Sequence, residues 1–207
     1  MKIIVKFFII FSVVFANENY TSSLAKSMVF PGWGEMAEYK NYKKEYIIKR
    51  SRLFASIEGA LLFSFLVSGK LSNAYEQDYR TYAEVNADAD WTGKNNAYAI
   101  QLGKFNDKQA YNDYCNIDYV NCEGYANSDE SYDWSWDNDE SRLSYANIRR
   151  DSEKMRDLAI LMGAGMLINR LVSVFDIIAI KRNEENLFSI NLEKDINKTN
   201  LVFNMKF

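Results

Sequence analysis

The chain has no histidine, one proline and two cysteines among its 207 residues. The missing histidine removes the commonest general base and metal ligand. No glycine-rich phosphate cradle and no metal-ligand spacing occurs either. The acidic run Asp133 to Glu140 lacks the central glycine of a calcium-binding loop. The sequence therefore predicts no enzyme, catalytic residue, metal or cofactor. Cys115 and Cys122 stand with six residues between them. That spacing fits a disulfide formed in an oxidising compartment, or two free thiols, and matches no zinc motif.

The scarcity of proline has a structural consequence, because proline is the strongest breaker of a helix interior. Pro31 lies near the start, and nothing after it forces a long helix to stop. Tyr42 to Asn86 carries only Gly59 and Gly69 as weak points, which allows a helix of about 45 residues and ~68 Å at ~1.5 Å per residue. A second long helix is predicted from near Asp137, where Asp137 and Glu140 have capping-box spacing, to Arg182. Shorter helices are predicted at Ser22 to Phe30 and Ala97 to Asn112, with a loop at Asp88 to Gly93.

What the chain does contain is two apolar segments, at residues 53–70 and 158–180. Each carries polar or charged residues that an ordinary span lacks: Glu58 in the first, and Asn169, Arg170, Ser173 and Asp176 in the second. An ionised side chain costs at least ~2.5 kcal/mol in hydrocarbon, so these groups are expected to face one another. The result is a membrane-associated hairpin of two antiparallel helices. Aligning Arg52 with Lys181 puts Glu58 within reach of Arg170, Ser173 or Asp176, and Arg156 near Glu76 and Asp78. The intramembrane cluster reads as a lock that sets the register of the helices, or as an ion or proton relay. Arg142, Tyr145, Arg149, Ser152 and Arg156 fall on one stripe, read as stem-to-stem salt bridges or an anion-binding surface.

Other segments complete the outline. Residues 1–16 have the basic start, apolar run and small final residue of a signal peptide, with an uncleaved anchor as the alternative. The body of the chain is then 17–182. Residues 17–52 hold seven Lys or Arg against four acids, whereas residues 71–157 hold nine against eighteen. The latter region is expected to be acidic and extramembrane, which argues against nucleic acid as a partner. Pro31, Gly32, Trp33 and Gly34 form a predicted turn at the membrane interface, where Trp is favoured. Tyr132, Trp134 and Trp136 are read as anchors of a partner interface or as core. At 183–207 the period changes to alternation, which predicts a C-terminal β-hairpin.

The run Ser23-Leu24-Ala25-Lys26-Ser27-Met28-Val29-Phe30-Pro31-Gly32-Trp33-Gly34-Glu35 and the later Asn169-Arg170-Leu171-Val172-Ser173-Val174-Phe175-Asp176 carry a resemblance. The sequence resembles an uncharacterised family of Gram-negative envelope proteins that have a signal peptide, a Pro-Gly-Trp-Gly-Gln-like motif and an Asn-Arg-x-x-Ser-x-x-Asp motif. Glu35 stands where that family usually has Gln. The resemblance implies a membrane protein and assigns no chemistry. The expectation is a mainly α, non-enzymatic structural or assembly component of the bacterial envelope, with the inner or outer membrane left open. Its partners would be membrane lipid and an envelope protein or a second copy. The alternative is a small transport or pore subunit assembled around the polar intramembrane residues.

Positive-inside reasoning sets Lys49, Arg50, Arg52, Lys181 and Arg182 on the cytoplasmic side, whereas a cleaved signal peptide would export the mature N-terminus.

Overall fold

A computed structural model of the chain describes residues 21–117, 122, 130–184, 188–195 and 198–205. The expected signal peptide, 1–16, lies outside them. The fold is mainly helical. It comprises α1 (Thr21–Val29), α2 (Trp33–Tyr42), α3 (Glu45–Ala87), α4 (Asn96–Lys104), α5 (Lys108–Cys115), a 3-10 turn (Glu130–Tyr132) and α6 (Asp139–Glu184). In the tail only the backbone is described. It runs as β1 (Phe188–Asp195) and β2 (Lys198–Met205), antiparallel, with Phe188 opposite Met205. Among the residues whose side chains are described, β pairing is confined to an isolated bridge between Asp107 and Ser135. Of the expected architecture, the mainly helical body is what the structure supports.

The chain divides into two compact units, one of residues 1–64 with 162–207, the other of residues 65–161. The long helices α3 and α6 contribute residues to both.

In the first unit, Pro31 stops α1 as expected, but the turn is shorter than the sequence suggests. Gly32 takes a positive φ of 94° and α2 starts at once with Trp33. Lys43, at φ 54°, closes α2 with its N–H donating to Tyr39 O. The single helix expected from Tyr42 thus begins at Glu45, after a short break. The segments of α3 and α6 in this unit run antiparallel, with Tyr46 Oη donating to Glu184 and Asn169 Nδ2 donating to Phe54 O.

The second unit buries an aromatic core: Tyr79 and Ala83 of α3, Tyr98 and Leu102 of α4, Tyr111 of α5, Trp134, Trp136 and Tyr145 of α6. Tyr98 meets Trp91, Tyr132 and Trp134 edge-on, with centroids 5.5 to 5.9 Å apart, the geometry that ring quadrupoles favour. The single weak helix expected at Ala97 to Asn112 is two, broken at Phe105. Asn95 and Asp107 cap them, accepting from Tyr98 N and Ala110 N. The start of α6 is likewise capped by Asn138, whose side chain accepts from Ser141 N at 2.8 Å, rather than by Asp137. Ser72 and Ser152 exchange hydrogen bonds from hydroxyl to carbonyl at 3.0 and 2.9 Å, which requires α3 and α6 to approach closely here.

Candidate functional site: a polar seam under an apolar exterior

Both long helices are long and apolar enough to cross a membrane. Only 17% of the most apolar window of each is buried, so neither behaves as the core helix of a water-soluble fold. Within the first unit many large apolar side chains face outward while polar ones are buried beside Ile47, Ile177 and Ile180. Phe63 is 70% exposed and Phe175 67%, with Leu53, Leu167, Ile168 and Leu171 also outward. Glu58 is 2% exposed, Asn169 6% and Ser173 0%.

The polar groups form a seam of matched pairs, buried apart from the half-exposed Arg50 and the partly exposed Arg170. Glu58 Oε1 meets Arg170 Nη2 at 2.5 Å, and its Oε2 accepts from Asn169 Nδ2 at 3.0 Å. One turn further along α6, Ser173 Oγ donates to Glu35 Oε1 at 2.6 Å, and Ser27 Oγ donates to Glu35 Oε2 at 3.0 Å. Arg50 pairs with Asp176 at 2.5 Å. Lys181 faces Glu38 at 3.3 Å, both nearly fully buried. Burial pushes the Glu35 carboxyl above its ordinary value, against the lowering effect of the Ser173 and Ser27 hydrogen bonds and with a smaller push from Asp176. Among the described residues no cation contacts Glu35, and no group of three His, Cys, Asp or Glu is placed to hold a metal.

The sequence expectation thus divides. Glu58, Asn169 and Arg170 come together. Ser173 and Asp176 share the seam but serve Glu35 and Arg50 instead of Glu58. The expected alignment is displaced, since Arg50 lies opposite Asp176 rather than Asn183, a slip of about two turns. Glu35, Glu38, Ser27 and Lys181 were missed. Their signal was present in α1 and α2, where Ser23 and Ser27 lie at i and i+4, and Glu35 and Glu38 at i and i+3.

The predicted interface turn is built into this unit. Ser51 Oγ donates to Gly32 O at 2.7 Å, and Gly32 N donates to Ser173 Oγ at 3.4 Å. A Cβ on Gly34 would lie 2.2 Å from Ser23 O and 2.3 Å from Ile177 Cδ1. Pro31, Gly32 and Gly34 are buried, whereas Trp33 is half exposed.

In the second unit the core reading of the tryptophans and the disulfide reading of the cysteines hold, while the reading of the arginine stripe is corrected. Trp134 and Trp136 are core, at 3% and 7% exposure, with their indole N–H groups donating to Phe105 O and Leu102 O. They cannot anchor a partner in this state, and Tyr132 is itself half buried against Tyr98. Among the described residues the arginine stripe makes no stem-to-stem salt bridges. Arg142 donates to Gly103 O at the end of α4, while Arg149 and Arg156 pair with Glu153 of their own helix. Arg80 likewise pairs with Glu76 one turn away, because a neighbour at i+4 on the same helix is nearer than the facing one. Cys115 and Cys122 are disulfide-bonded, with Cα atoms 5.4 Å apart.

No family model, curated protein or solved structure matches this chain. The geometry of the seam therefore carries the functional argument.

Proposed function

We propose that this chain is a membrane-embedded, non-enzymatic structural or assembly component of a bacterial cell envelope. In this reading residues 1–16 direct export, α3 and α6 form the membrane hairpin, and the acidic region 71–157 stands in water. The terminal β-hairpin would pack on the body or on a sheet edge of a partner. One observation carries the reading. In the first unit, many large apolar side chains are exposed while Glu58, Asn169, Ser173, Glu35 and Lys181 are buried with polar partners, Glu58 pairing with the partly buried Arg170. Water would penalise that outer surface, and lipid would not.

The pairing of Glu58 with Arg170, Asp176 with Arg50 and Glu38 with Lys181 favours a register lock over a relay. The partners of this component are membrane lipid and either an envelope protein or a second copy; nucleic acid is disfavoured by the acidic region. Separated inner and outer membranes washed with alkaline carbonate test the reading. The chain is expected to stay in the membrane pellet, and its release into the wash would overturn the embedded hairpin.

A further inference from the structure

Between α1 and α2 lies an open cleft of about 300 Å³, the lower end of the range of small-ligand sites, ~300–1,000 Å³. One face of α2 lines it: Trp33, Met36, Lys40 and Asn41 follow one another along the helix. Ser22 and Lys26 of α1 close the other side. The α2 wall of the cleft therefore runs from apolar Trp33 and Met36 to cationic Lys40, about 10 Å or two turns of helix from Trp33, with Lys26 facing it from α1.

These ends have fixed positions within the first unit. At the Trp33 end, Gly32 is bonded to Ser51, just before the first apolar segment, and to Ser173, within the second. At the other end, Glu38 faces Lys181 among the basic residues at the foot of α3 and α6. Trp33 and Met36 are 50% and 45% exposed. Neither Lys26 nor Lys40 is in an ion pair among the described residues. Two cations with no ion-pair partner among the described residues, beside a hydroxyl and an amide, suit a phosphate. The adjoining exposed Trp33 and Met36 suit the start of an acyl chain.

We propose that the α1–α2 cleft binds the headgroup of an anionic phospholipid, with Lys26 and Lys40 on the phosphate and Trp33 and Met36 against the glycerol and upper acyl region. The assignment rests on the membrane reading above. It makes α1 and α2 a lipid-selective collar on the hairpin.

Native mass spectrometry of the full chain in detergent, with equimolar phosphatidylglycerol and phosphatidylcholine, tests the site. Wild type is expected to retain phosphatidylglycerol preferentially. Lys26→Gln with Lys40→Gln is expected to lose that preference by about thirtyfold, at roughly fivefold per lysine near an anionic surface. Lys26→Arg with Lys40→Arg should keep it. No preference in wild type, or an unchanged preference in the Gln variant, overturns the site. So does inorganic phosphate binding as tightly as the lipid, which would mark a free-anion site. The carbonate wash separates the two proposals. Release of wild type overturns the membrane reading and the site together, whereas retention without lipid selectivity overturns the site alone.

Discussion

Glu58 and Arg170 neutralise each other from facing helices, with 2.5 Å between carboxylate and guanidinium and only 3% of the Glu58 side chain exposed. Removing one partner strands the other charge. Arg170→Ala is expected to cost ~3–5 kcal/mol, and the double variant with Glu58→Ala less than the sum of the two single changes. Unfolding in mixed micelles measures all three. Additive losses would sink the register lock, since independent residues have no shared charge to strand.

Gly32 and Gly34 are predicted to be irreplaceable where Gly59 is not. Gly32→Ala strains a positive φ and sets a methyl 2.3 Å from Ser51 O, and Gly34→Ala drives one into Ser23 O and Ile177. Each is expected to cost at least ~1–3 kcal/mol by overpacking. A Cβ on Gly59 meets nothing within 4 Å, so Gly59→Ala should be neutral or stabilising by up to ~1 kcal/mol. Thermal melts of the three variants rank them, and a Gly34→Ala protein as stable as wild type would contradict the packing of α1 on α2.

Trp134→Ala and Trp136→Ala are predicted to act on folding. Each removes a buried ring and leaves a carbonyl of Phe105 or Leu102 without its indole donor, an expected loss of ~3–5 kcal/mol. Hydrogen exchange should show faster opening of α4, α5 and the start of α6. Unchanged protection there would return the tryptophans to the role of surface anchors.

The pH dependence of Glu35 has a definite sign. Its folded carboxyl titrates above the ordinary value of 4.5. Its contribution to stability is thus complete below that pH and is lost as pH rises through the raised folded value. Glu35→Gln can keep the Ser27 and Ser173 hydroxyl contacts without a charge. Relative to wild type, the variant should melt higher at about pH 8 than at about pH 4, because only wild type pays for ionisation. A constant difference between the two proteins across that range would show that Glu35 is not held in this way.

Much of the candidate site was legible because it depends on local pattern. Charged residues inside Leu53 to Val67 and Leu158 to Ile180 identify Glu58, Arg170 and Asp176 as groups in need of partners, whatever the fold. The choice of partner was not legible. Glu35 follows a glycine-containing turn whose sequence names no partner for it, yet it is buried against Ser27 and Ser173. For Trp134 and Trp136, in a polar stretch of Asp, Ser and Asn, the sequence leaves anchor and core both open; the ring of Tyr98 beside Trp134 and the carbonyls of Leu102 and Phe105 decide for core.

By itself the sequence determined the two long helices, the stop at Pro31 and the polar positions within each apolar segment, since propensity, capping and periodicity act over a few residues. Only the tertiary structure decided the register. A shift of about two turns brings almost the same face of a helix back to its neighbour, so periodicity cannot distinguish Arg50 opposite Asp176 from Arg50 opposite Asn183. Side-chain packing distinguishes them. Ser173 must reach Glu35, and Gly34 must admit Ser23 and Ile177, before the helices can close.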